Sequence, residues 1–216
     1  KEGAIILGIG GDNSKGSAGT FYEGVMTSGY PSDATENSVQ ANIVAAGYTT
    51  STGGGGSTPF TPGARISLQA TTSCCTGDYI QHDASDSNVV IAAVTSSSSA
   101  TNKADATWVV RAGLANSSCV SFESANASGS YLRHQNFQLH LQANDGSSLF
   151  AQDATFCPTP GNSGQGYSLQ SVNYTNRYLR HYSYTVYLAS NGGSNVWDST
   201  NLWADDTSWL VAAPWS

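Results

Sequence analysis

The word Tyr-Leu-Arg-His occurs twice in this chain of 216 residues, at Tyr131 and at Tyr178, and an altered copy, Tyr-Ile-Gln-His, stands at Tyr79. Two other words travel with it in fixed order. Ile66-Ser-Leu-Gln-Ala, Val120-Ser-Phe-Glu-Ser and Tyr167-Ser-Leu-Gln-Ser precede the three copies, and Asp105-Ala-Thr-Trp, Asp153-Ala-Thr-Phe and Asp206-Thr-Ser-Trp follow them. The serine comes 12, 10 and 10 residues before the tyrosine, and the aspartate 26, 22 and 28 residues after it. Three words in one order, three times over, point to threefold internal symmetry, and a repeat of this length constrains architecture more than any local propensity does.

Each unit reads as strands. In Ile66-Ser-Leu-Gln-Ala and Tyr184-Thr-Val-Tyr-Leu, apolar and polar residues alternate, and β-branched and aromatic types are frequent. Asn144-Asp145-Gly146 and Asn191-Gly192-Gly193 offer the positive φ angles that tight hairpins need. No stretch beyond about Gly47 keeps a 3.6-residue period. Units of roughly fifty residues with about four strands each predict an all-β fold, a β-trefoil of three pseudo-repeats; a propeller of three blades would be too few to close. The Tyr, the Leu and the terminal aromatic of the words are expected to line the core. The His and the Asp are not, because ionisable groups at symmetric positions need a reason to be there.

The chain carries 8 basic residues against 15 acidic ones, and only 11% of its residues are charged. That argues against nucleic acid and anionic membrane as partners, since both are recognised by basic patches, and no apolar run reaches membrane-spanning length. Four cysteines, three glycosylation sequons (Asn116-Ser-Ser, Asn126-Ala-Ser, Asn173-Tyr-Thr) and abundant hydroxyl residues favour a secreted, extracellular protein. No leader sequence stands at Lys1, so the chain is expected to be mature, processed or truncated. Cys119 and Cys157 bracket the second unit and are the expected disulfide, tying its first strand to its last. The adjacent Cys74 and Cys75 leave three states open: a vicinal disulfide, free thiols, or pairing with cysteines outside this chain. No second Cys/His pair has zinc spacing, so neither metal nor cofactor is expected.

Residues 49–59, Thr-Thr-Ser-Thr-Gly-Gly-Gly-Gly-Ser-Thr-Pro, read as a linker. They divide the predicted trefoil, 60–216, from a segment 1–48 with two apolar strands and a short helix. The helix is expected to start at the N-cap-like Ser32 and to run to about Ala46. So small a segment cannot bury a useful core, and it is expected to be the last piece of a larger β domain. Its chemistry sits in Gly8-Ile-Gly-Gly-Asp-Asn, where a strand ends in glycines followed by a carboxylate. A phosphate loop would need a lysine and a hydroxyl that are absent here.

Gly8-Ile-Gly-Gly-Asp-Asn-Ser, together with Gly19-Thr-Phe-Tyr-Glu-Gly-Val-Met-Thr-Ser-Gly-Tyr-Pro-Ser-Asp-Ala-Thr-Glu, closely resembles the end of the catalytic domain of the family 54 α-L-arabinofuranosidases. The repeated unit resembles the arabinose-binding module that follows it, the family 42 carbohydrate-binding module. The resemblance implies a secreted enzyme with a β-sandwich catalytic domain. It hydrolyses terminal α-L-arabinofuranosyl residues of hemicellulose, arabinoxylan or arabinan, with retention. It further implies that Asp12 is the general acid/base, that Gly11 lines the sugar site, and that the glutamate nucleophile lies upstream of Lys1, since Glu23 and Glu36 are not at its motif. The upstream portion of the same enzyme and an arabinofuranosyl-substituted polysaccharide are then the expected partners. In the module, His134 with Asp153 and His181 with Asp206 carry over as arabinose-binding pairs, with Asn136 and Tyr184 near enough in sequence to join them. The first unit departs from the pattern, with Gln81 in place of Arg beside His82 and Asp105, and is expected to bind no sugar.

Other readings of the same residues are weaker. A Ser/His/Asp hydrolase needs one asymmetric site, which a triple repeat does not supply. A stand-alone trefoil lectin leaves residues 1–48 without a purpose, and a trefoil protease inhibitor would need no His–Asp pairs.

Overall fold

The computed structural model describes residues 59–216 except 84 and 85, together with Ser32 and Thr35. The chain divides into two units, Lys1–Gly54 and Gly55–Ser216. The expected strands of the first segment, Gly11 and Asp12 lie outside the described residues, as does the predicted helix except at its start. There the Ser32 Oγ accepts from the Thr35 amide at 3.3 Å, the contact an N-cap makes.

The second unit is mostly β. Its strands are β1 (Arg65–Ala70), β2 (Asp78–His82), β3 (Val89–Ala93), β4 (Trp108–Ala112), β5 (Val120–Ser124), β6 (Ser130–Gln135), β7 (Gln138–Ala143), β8 (Phe156–Pro160), β9 (Tyr167–Ser171), β10 (Tyr178–Tyr182), β11 (Thr185–Ala189) and β12 (Trp209–Ala212). Three short α-helices interrupt them, α1 (Ala100–Asp105), α2 (Ser148–Asp153) and α3 (Trp203–Asp206), with one 3₁₀ turn at Val196–Asp198. All pairings are antiparallel. Six strands close into a ring in the order β1, β4, β5, β8, β9, β12 and back to β1. Closure removes the free edges on which open sheets aggregate. The hairpins β2–β3, β6–β7 and β10–β11 attach to this ring at Gln69↔Tyr79, Glu123↔Tyr131 and Gln170↔Tyr178. They meet one another at Thr185↔Val90, Tyr187↔Gln138 and Asn88↔His140.

The recurring words have distinct physical jobs in this frame. Ile66, Leu68, Phe122, Leu169, Trp108, Phe156 and Trp209 point into one buried cluster with Ile80, Leu132 and Leu179 of the hairpins. Where the terminal aromatic is tryptophan, its indole N–H is satisfied inside the core: Trp108 donates to the Ile80 carbonyl at 2.9 Å and Trp209 to the Leu179 carbonyl at 3.2 Å. The tyrosines Tyr79, Tyr131 and Tyr178 are only partly buried, so the expectation that they line the core is corrected. They occupy the register positions where each hairpin joins the ring.

The serine words make cross-ties. Ser67 donates to the Ala106 carbonyl and Ser168 to the Thr207 carbonyl, each at 2.8 Å, and Ser121 lies 3.4 Å from the Thr155 hydroxyl. The hydroxyls after the aspartates end the helices. Thr107, Thr155 and Thr207 bond back to the carbonyls of Lys103, Ala151 and Trp203 at 2.7–2.8 Å, the i−4 pattern by which Thr competes with helix continuation. Ser99 and Ser147 cap the N-termini of α1 and α2, accepting from the amides of Asn102 and Phe150. These helices are absent from the sequence reading, because six residues or fewer are too short for a 3.6-residue period to register.

The hairpin turns also differ from expectation. The β6–β7 turn is Asn136–Phe137 (φ 51° and 65°), and the β10–β11 turn is Ser183–Tyr184 (φ 48° and 65°). Each pair of left-handed residues matches the strand twist as a type I′ turn does, but without glycine. Gly146 and Gly192 do adopt positive φ (78° and 76°), in the connections leaving β7 and β11 rather than between paired strands.

Cys119 and Cys157 are bonded across a sequence separation of 38, and Cys74 is bonded to Cys75. Replacing Cys119 and Cys157 together by Ser should lower unfolding stability by about 2–5 kcal/mol, with an unchanged far-ultraviolet spectrum at low temperature; a denaturation midpoint equal to that of the unsubstituted chain would contradict it.

Candidate functional site

Each repeated histidine stands at the end of the first strand of a hairpin or one residue before it, and each repeated aspartate ends a short helix. The fold brings the two together three times. His181 Nε2 lies 3.5 Å from Asp206 Oδ1, His134 Nε2 lies 3.3 Å from Asp153 Oδ1, and His82 Nε2 lies 3.2 Å from Asp105 Oδ1. All six residues are buried. A third polar group completes each cluster, and it comes from the loop after a ring strand. Thr72 donates its hydroxyl to Asp206 at 2.8 Å and sits 2.9 Å from His181. Asn173 donates to Asp153 at 2.8 Å and sits 3.1 Å from His134. Asn126 donates to Asp105 at 2.6 Å and sits 3.0 Å from His82. In each case the third group has an oxygen left to accept, which assigns the imidazole proton to Nε2.

The arginine of the word decides how the carboxylate is held. Arg180, 1% exposed, donates to Asp206 Oδ2 from Nε and from a terminal nitrogen at 3.2 and 2.8 Å, and its remaining N–H groups reach the carbonyls of Trp197, Ser199 and Asn201. Arg133 makes the same two contacts to Asp153 Oδ2, at 3.3 and 3.0 Å, and a third to Gln142. Buried charge is tolerated only when paired and hydrogen-bonded in this way. The first cluster has Gln81 at that position, and its Oε1 is buried without a partner. The carboxylates of the second and third clusters are therefore fixed from behind through Oδ2, while Oδ1 is met by Asn173 or Thr72 beside the imidazole.

Burial holds His134 and His181 below their ordinary value of 6.5, although the Asn173 hydrogen bond and the Asp153 charge for the one, and the Asp206 charge for the other, act in the opposite direction. The unfolded chain then binds more protons than the folded one between the lowered value and 6.5, so stability rises with pH through that window and is lost as pH falls below 6.5.

Sequence reasoning missed Thr72, Asn126 and Asn173. A signal was present: each stands six residues after the first residue of its serine word, at 66, 120 and 167. Two of them were absorbed instead by the sequon pattern, yet in the structure both amides are engaged with a buried carboxylate. Of the two peripheral candidates, Tyr184 lines a pocket of about 300 Å³ that opens at the third cluster and includes Thr72, Arg180, His181 and Asp206. Asn136 is exposed at the β6–β7 turn.

Comparison with known proteins gives this arrangement its class. Residues 68–211 match the family model described as the Alpha-L-arabinofuranosidase B (ABFB) domain, and residues 1–49 match that described as Alpha-L-arabinofuranosidase B, catalytic. The chain belongs to the arabinofuranosidase B domain family. It is 61% identical over 212 residues to an alpha-L-arabinofuranosidase of Hypocrea jecorina, and 62% identical over 212 residues to a probable alpha-L-arabinofuranosidase B of Aspergillus terreus. These alignments cover 98% of this chain but 42% and 41% of the relatives, so the chain spans less than half their length. Among solved structures, an arabinofuranosidase complexed with arabinofuranosyl-alpha-1,2-xylobiose is 52% identical with a TM-score of 0.72, over 97% of this chain and 43% of that one. A GH54 α-L-arabinofuranosidase soaked with a cyclic sulfate inhibitor gives the same identity and score over 96% of this chain.

For the pH dependence, urea unfolding from pH 7.5 to 5.0 should show stability falling as the pH drops below 6.5, with a slope of at most about 1.4 kcal/mol per pH unit for each of the two histidines. His134→Gln with His181→Gln should flatten that slope; an equal slope in the double variant would assign the effect elsewhere.

Proposed function

We propose that this chain is the C-terminal part of a secreted, retaining α-L-arabinofuranosidase, and that residues 60–216 form a β-trefoil of three pseudo-repeats that binds terminal arabinofuranosyl groups of hemicellulose. The observation that carries the proposal is the pocket at the third cluster, where a buried carboxylate and a neutral imidazole face an open cavity. A sugar site needs convergent polar groups in fixed positions against an otherwise apolar lining. Asp206 and His181 would meet the sugar hydroxyls there, with Asp153 and His134 doing so at the second cluster. The first cluster lacks the arginine that anchors the carboxylate, and it takes no part. The complex of a relative with arabinofuranosyl-xylobiose supports arabinofuranosyl-substituted xylan as the ligand class, and the two disulfides support an extracellular location.

In this reading residues 1–48 close a β-sandwich catalytic domain and 49–59 link it to the trefoil. Asp12 protonates the leaving oxygen, with Gly11 beside the sugar, and an upstream glutamate attacks the anomeric carbon. The two carboxyl groups of a retaining site stand about 5 Å apart, so residues 1–216 alone, with one member of the pair, are inactive.

Affinity electrophoresis in arabinoxylan tests the binding sites. Asp153→Ala and Asp206→Ala should each reduce retention, the double variant should abolish it, and Asp105→Ala should change it little. Two weak sites on one chain reinforce each other on a branched polymer through effective concentration, so the single losses should look larger on polymer than on a short oligosaccharide. Retention of the double variant at the unsubstituted level would refute the assignment. For the catalytic role, Asp12→Asn in the full-length enzyme should lower turnover of arabinoxylan by about 10²–10⁴-fold; near-unchanged turnover would remove Asp12 from it.

A further inference from the structure

The second and third clusters share their polar groups but not their walls. At the second, the residue after Asn173 is Tyr174, whose ring stands edge-on to His134 at 5.4 Å and to Phe137 at 5.1 Å. At the third, the loop that supplies Thr72 continues into the bonded pair Cys74–Cys75, and both cysteines line the pocket. The pair is held close to Thr72 by the turn, since the Cys75 amide donates to the Thr72 carbonyl at 2.9 Å. The same lining includes Leu202, 50% exposed at φ 52°, and Tyr184, 61% exposed at φ 65°. A non-glycine residue in the left-handed region is disfavoured, and such outliers gather at binding sites. Two large apolar side chains are thus held at the mouth of a polar-floored pocket, in conformations that local preference would not choose.

We propose that the Cys74–Cys75 disulfide is the apolar wall of the third site, against which the C–H face of a single furanose packs while its hydroxyls meet Asp206 and His181. This rests on the sugar-binding reading of that site. A disulfide in contact with ligand makes the third site sensitive to reduction, whereas the second, walled by Tyr174, is not. An added dithiol supplies the two electrons and two protons that break the S–S bond to two thiols, and is itself oxidised to its cyclic disulfide. Freed of the bond, the two side chains regain rotational freedom, and the wall is lost.

The test uses the whole 216-residue chain in two backgrounds, Asp153→Ala to leave the third site and Asp206→Ala to leave the second. Titration calorimetry with an arabinofuranosyl-substituted xylo-oligosaccharide is carried out on each, with and without Cys74→Ser plus Cys75→Ser, a change that leaves Cys119–Cys157 intact. The expected result is a loss of about tenfold or more in affinity at the third site and a change within about twofold at the second. Dithiol treatment of the cysteine-intact chain should reproduce the third-site loss, and reoxidation should restore it. Third-site affinity unchanged by the serines, or an equal loss in both backgrounds, overturns the proposal. If the cysteine-intact Asp153→Ala chain binds no oligosaccharide at all, the sugar-binding reading of the third site fails first, and is told apart by that control.

Discussion

Each of the three aspartates that end the short helices holds three parts of the chain at once. Asp206 ties α3 to the hairpin strand through Arg180 and His181, and to the loop after β1 through Thr72. Asp153 joins α2, β6 and the loop after β9 in the same manner. A buried carboxylate is expensive to strip of water unless every lone pair is met, so the elements that supply its donors are held in register by that requirement. At the third cluster these ties run between the first ring strand and the last helix, which brings the beginning and end of the described unit together.

The difference between the clusters follows from one residue. With an arginine behind the carboxylate, the charge is neutralised by two fixed N–H donors. With Gln81 there, no arginine meets Asp105 among the described residues, and an amide oxygen is left buried without a partner. The first cluster keeps its histidine, its aspartate and an asparagine donor, so the geometry alone does not separate it from the others. The partner of the carboxylate does, arginine at two clusters and glutamine at the first.

Burial has a second consequence at these sites. It keeps both imidazoles neutral, and the one N–H of each is met inside the cluster, by Asn173 for His134 and by Thr72 for His181. Placing each site between a hairpin and the loop of a different ring strand also lets the walls vary while the polar floor is kept. Tyr174 stands beside His134 at one, and the Cys74–Cys75 pair and Leu202 line the pocket at the other.

Much of this was legible in the residues alone. The alternation within three recurring words pointed to a mostly β architecture. The His and Asp positions declared themselves because ionisable groups do not recur at equivalent places without cause. Cys119 and Cys157 stood at the two ends of one unit. Segment-level patterns carry such information because strand alternation and repeat length are properties of the chain itself. The short helices, the glycine-free turns at Asn136–Phe137 and Ser183–Tyr184, and the state of Cys74 and Cys75 could not be read that way, since each is selected by packing rather than by propensity. The completion of every cluster by Thr72, Asn126 or Asn173 belonged wholly to the tertiary structure. These residues lie between 39 and 109 positions from the histidines they meet, and only closure of the ring brings them within hydrogen-bonding distance.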